Sequence, residues 1–145
     1  MIKSNELRVG NIVQRNGDWK LEEEGFHTII AINSSTYLDK TFDSVRTDVT
    51  GQDFLFTTQL DAIPLTEEVL LYFGFEDSPP YGGDNGFFKR NGVIIHYEID
   101  SEDPNYCYWL YKKGGQFTEI KIKYVHQLQN LYFALTGEEL PIEQP

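Results

Sequence analysis

The run His96-x-Glu98-x-Asp100 holds residue types that acid–base or metal chemistry needs. If this stretch is a β-strand, alternate side chains share a face, so these three stand in a row with Ile95, Tyr97 and Ile99 opposite. One imidazole and two carboxylates in a row can ligate a metal ion or share a proton. The wet side of a half-buried strand shows the same alternation, and no second histidine has an argued place beside the row. His96, Glu98 and Asp100 therefore stand as a candidate ligand-binding face, with no catalytic residue and no metal ligand assigned. Tyr106 and Tyr108 lie near enough in sequence to join it. They belong to Tyr106-Cys107-Tyr108-Trp109-Leu110-Tyr111, which carries large residues on both faces of a strand. A sheet covered on both sides would explain that pattern; so would an exposed aromatic patch for a partner or a planar ligand.

Other arrangements fall away on chemical grounds. Gly82-Gly83-Asp84-Asn85-Gly86 lacks the Gly-Lys-Ser/Thr ending of a phosphate-binding loop and reads as a connector. Cys107 is the only cysteine, which excludes an intramolecular disulfide and a cysteine-based zinc cluster. With no histidine or helix N-terminus argued beside it, its thiol reads as packed. His27 and His126 each stand alone, and the segment from Asp100 to Asp103 lacks calcium-loop spacing. No cofactor is implied.

The elements that must position these residues are legible from their punctuation. The first sixty or so residues read as about five short strands. Leu7, Val9, Ile12 and Val13 precede the turn dipeptide Asn16-Gly17, and Trp19 and Leu21 begin a return strand. A further run follows from Phe26 to Ile32, broken by Asn33-Ser34-Ser35, then Phe42–Val49 and Phe54–Leu60. After Pro64, Thr66 caps a short helix with Glu67 and Glu68 in its first turn, Leu65 and Leu70 form a hydrophobic staple, and Gly74 ends it. Glu76 to Gly86 reads as a loop. A four-stranded antiparallel meander follows: Phe87–Arg90, Val93–Ile99 across Asn91-Gly92, Tyr106–Lys112, and Gln116–Ile122. The last element, Tyr124 to Thr136, is an amphipathic helix. Tyr124, Val125, Leu128, Leu131, Tyr132 and Leu135 form its apolar face, and Gly137 and Pro141 stop it. His126, Gln127, Gln129 and Asn130 fall on the other side, unexplained by packing, and are candidate interaction residues.

Composition narrows the partners. The net charge is −11, with 12 Lys and Arg against 23 Asp and Glu. The densest basic group, Lys112-Lys113 with Lys121 and Lys123, is small. Nucleic-acid binding through phosphates is thus disfavoured, as is docking on anionic lipid. The opening residues contain no apolar signal region, and no apolar run approaches the ~18 residues of a membrane span, so the expected location is the cytoplasm.

Three segments together resemble a known group. Glu6-Leu7-Arg8-Val9-Gly10-Asn11, Ile63-Pro64-Leu65-Thr66-Glu67-Glu68 with Phe73-Gly74-Phe75, and the stretch from Tyr124 to Leu140 (YVHQLQNLYFALTGEEL) look like a family of uncharacterised proteins from Bacteroidetes genomes, their phages and mobile elements. The last segment is the most specific. The resemblance implies a bacterial or phage-derived cytoplasmic protein and transfers no catalytic residue.

The expected fold is α+β: a small N-terminal β-barrel or rolled antiparallel sheet over residues 1–64, then a short helix, the meander and the C-terminal helix over residues 65–145. The expected function is a non-enzymatic accessory or interaction protein with an unidentified protein partner, a homodimer also being open. One alternative is a small enzyme or ligand-binding protein using the His96 face; a second is an acidic inhibitor or nucleic-acid mimic.

Overall fold

Alternating apolar residues, β-branched runs and two Gly-stopped helices build an α+β protein in the computed structural model. The structure describes residues 2, 4–15, 26–38, 40–48, 55–57, 60–78, 86–99, 107–113 and 116–140. The chain divides into two compact units: Met1–Ile63 with Tyr124–Asn130, and Pro64–Lys123 with Leu131–Pro145.

In the first unit a single 3-10 turn, Ser4–Glu6, precedes β1 (Ile12–Arg15), β2 (Phe26–Tyr37), β3 (Lys40–Thr47), β4 (Leu55–Phe56) and β5 (Leu60–Asp61). They form one antiparallel sheet in the order β4-β3-β2-β1-β5, without barrel closure among the described residues. Ile2, Leu7, Val13, Ile29, Val45 and Leu60 form its buried cluster, with Ala62 against it. Burying each of the larger side chains is worth about 1.5–3 kcal/mol.

Three expectations for this region change. Leu7 and Val9 do not lead into a strand: Asn11 N–H donates to the Arg8 carbonyl (3.1 Å) across Val9-Gly10, with Gly10 at φ 92°. This is a β-turn whose third position requires positive φ, which is why glycine stands there. Nor does Asn33-Ser34-Ser35 break the Phe26 run. β2 continues to Tyr37 because its residues pair with β3, Ser34 facing Asp43 and Ser35 facing Phe42. The Ser34 hydroxyl donates to Asp43 Oδ1 (2.6 Å) across that pair, so local turn propensity yields to the ladder. Phe54–Leu60 is two short strands rather than one. The turn at Asn16-Gly17 and the return strand at Trp19 and Leu21 lie outside the described residues.

In the second unit, α1 (Glu67–Tyr72) begins at Thr66, whose Oγ1 accepts from Val69 N–H (3.2 Å). It ends at Gly74 (φ 70°), with Phe75 N–H donating to the Leu70 carbonyl (3.0 Å) and Gly74 N–H to that of Leu71 (2.9 Å). This double closure is the Schellman arrangement. β6 (Glu76–Ser78), β7 (Phe87–Arg90), β8 (Val93–Ile99), β9 (Cys107–Lys113) and β10 (Gln116–Ile122) form a five-stranded antiparallel meander in sequence order. It is thus one strand longer than the expected four, because Glu76–Ser78 pairs with β7 instead of opening a loop. Asn91 (φ 45°) and Gly92 (φ 78°) supply the two positive-φ positions of the β7–β8 turn.

The final helix, α2 (Val125–Thr136), stops at Gly137 (φ 75°). Val125, Leu128 and Tyr132 are buried, while Tyr124, Leu131 and Leu135 are half-buried. Its residues to Asn130 belong to the first unit and those from Leu131 to the second. No helix among the described residues is long and apolar enough to cross a membrane.

Candidate functional site

The polar residues of α2 do not form a solvent-facing side. His126 and Gln129 are each 1% exposed, and Gln127 and Asn130 are half-buried. Three of the four are satisfied by the segment Glu6–Ile12 at the start of the chain. Gln129 Oε1 accepts from Ile12 N–H (2.8 Å) and its Nε2 donates to the Gly10 carbonyl (3.2 Å). One amide thus completes two backbone groups where β1 begins. Asn130 Oδ1 accepts from Arg8 Nε (2.7 Å) and Asn11 Nδ2 (2.9 Å), while its Nδ2 donates to the Glu6 carbonyl (2.8 Å). Arg8 Nη2 donates to the Gln129 carbonyl (3.1 Å), and Asn11 Oδ1 accepts from Arg8 N–H (2.9 Å).

His126 completes this cluster. Its Nε2 stands 3.4 Å from Glu6 Oε2, and its ring stacks on Tyr124 (centroids 5.8 Å, planes 10° apart). Nδ1 is buried without a hydrogen bond. That geometry selects the neutral tautomer with the proton on Nε2. Burial lowers the imidazole pKa below its ordinary 6.5, although the Glu6 carboxylate pulls the other way through its hydrogen bond and its charge. A carboxylate–imidazole pair is a general-base arrangement, but this ring is sealed inside the chain and reaches no substrate.

Elsewhere in the second unit, β8 contains His96 and Glu98 as expected, and both belong to the central part of the meander. The register sets His96 between Phe87 and Leu110, and Glu98 opposite Tyr108. The His96 ring lies half-buried against Phe87, stacked at 4.5 Å with planes 19° apart. Asp100 and Tyr106 lie outside the described residues. Among the described residues no three His, Cys, Asp or Glu side chains cluster as metal ligands.

A feature the sequence reading missed is the outer edge of β2. β1 covers this edge only from Phe26 to Thr28, and Gly10 and Asn11 bond to Ile29. From Ile30 to Ser35 no strand among the described residues pairs on the side away from β3. Ile30 (43% exposed) and Ile32 (40%) lie here, followed by exposed Asn33, Ser34 and Ser35. Leu38 (φ 49°) sits at the hairpin tip, 78% exposed. The missing signal was the absence of charge: the twelve residues FHTIIAINSSTY hold no Lys, Arg, Asp, Glu, Pro or Gly.

No protein-family model, curated protein or solved structure matches this chain.

Proposed function

We propose that this chain is a non-enzymatic accessory protein of bacterial phage or mobile-element origin that acts in the cytoplasm by binding another polypeptide chain. The observation that carries this reading is the outer edge of β2 from Ile30 to Ser35, which no strand among the described residues pairs and which carries two exposed isoleucines. An open edge presents unpaired N–H and C=O groups to an incoming strand, and flanking apolar side chains add burial. Phage and mobile-element descent rests on the three segments that resemble such proteins.

The test uses the full chain, immobilised, against extract of a Bacteroidetes host or against the chain itself. Ser34→Lys places a charge on the edge without touching the core. A specific polypeptide held by the wild type and lost by Ser34→Lys supports the reading. Equal recovery by both chains, or none by either, overturns it.

A further inference from the structure

The polypeptide that fits the β2 edge is identified by comparing this edge with the chain's other sheet edges. In the second sheet, edge strand β6 is Glu76-Asp77-Ser78, with both carboxylate residues exposed, and the opposite edge β10 carries Glu119 and Lys121. In the first sheet, edge strands β4 and β5 are two residues each. Charge and shortness are the two commonest ways of preventing edge-to-edge association. β2 uses neither over its uncovered stretch, although the chain has 35 charged residues (12 basic, 23 acidic) available to it.

We infer, building on the interaction reading above, that a second copy of this chain occupies the edge, the two β2 strands pairing antiparallel about a two-fold axis. Charge decides between occupants. A foreign cationic segment, the natural partner for a chain of −11, finds no carboxylate on Ile30–Ser35 to recognise. Two copies of the chain, each of net charge −11, repel each other, and a neutral strand is where they can meet at least cost. A seam centred on Ile32 sets Ile32 against its symmetry mate, Ala31 against Asn33 and Ile30 against Ser34. No charge faces another, and the central pair is apolar on both sides. Self-complementarity of one strand is what an isologous interface requires. The joined sheets then run continuously from one copy to the other.

Sedimentation equilibrium of the full chain at tens of micromolar, in ~0.15 M salt, tests this. The expected mass is twice the 16.8 kDa of one chain. Ile32→Lys, which would set two ammonium groups against each other at the axis, raises the dissociation constant by on the order of 100-fold or more. Asn33→Lys, on the opposite side of the strand, does the same, and far-UV circular dichroism unchanged in both variants shows that folding is not the cause. A wild-type chain that stays monomeric, or an Ile32→Lys chain that dimerises as tightly, overturns self-pairing. If the wild type is monomeric while Ser34→Lys still abolishes capture of a host polypeptide, self-pairing falls and the interaction reading stands. If capture is also unaffected, both fall.

Discussion

Gln129 holds two backbone groups that nothing else in the described structure serves. Its side chain accepts from Ile12 N–H and donates to the Gly10 carbonyl. Gln129→Leu keeps the bulk and orphans both, at about 1–3 kcal/mol for each group. Urea melts should therefore show a loss of several kcal/mol, more than an apolar-for-polar exchange on a wet helix face would give. Asn130→Asp retains the acceptor for Arg8 and Asn11 but removes the donor to the Glu6 carbonyl, so it too destabilises. His126 makes the same cluster sensitive to acid. Its folded-state pKa lies below 6.5, so between that value and the folded pKa the unfolded chain binds the proton more readily. The stabilisation from the neutral ring is complete above pH 6.5 and declines as pH falls below it. Midpoint temperatures of wild type and His126→Asn, compared from pH 7.5 to 5.5, should converge toward the acid end. Parallel curves across that range would remove the effect.

At the scale of elements, capping chemistry and turn dipeptides carried most of what was legible. Thr66 and Gly74 bound α1 as their residue types require, and Asn91-Gly92 makes the positive-φ turn. Thr66→Ala should cost about 1 kcal/mol in thermal melts. Gly10→Ala forces a side chain into the positive-φ position of the Arg8–Asn11 turn and should cost about 1–2 kcal/mol. On α2, Leu128→Ala costs about 2–5 kcal/mol because Leu128 is fully buried, while half-buried Leu131 loses less. What was not legible depended on partners far away in sequence. Periodicity sorts residues by polarity, and so it placed Gln129 and His126 outside; only the arrival of Glu6–Ile12 makes a buried site of them. Asn33-Ser34-Ser35 has turn composition, and only pairing with β3 makes it strand. The His96 row was legible as a strand face, since β8 and its register are present, but side-chain chemistry alone could not say that Phe87 stacks on the ring.

At the scale of the molecule, Glu6–Ile12 and the first half of α2 close on each other within the first unit. The hydrogen bonds of the α2 cluster join residues 117 to 124 positions apart. ELRVGN and HQLQN are two halves of one buried polar contact, so a change in either leaves donors or acceptors unmet in the other. The arrangement also sets an order of events on the ribosome. Glu6–Ile12 precedes its partners in α2 by 117 to 124 residues, so at about 5–20 residues per second the segment waits roughly 6–24 seconds. During that interval β1 lacks the amide that completes Ile12 and Gly10. A chain halted after Lys123 should therefore leave the first unit protease-sensitive, and adding the α2 sequence as a separate peptide should restore protection. α2 acts as a time lock on the first unit, engaged only once its own residues have been made.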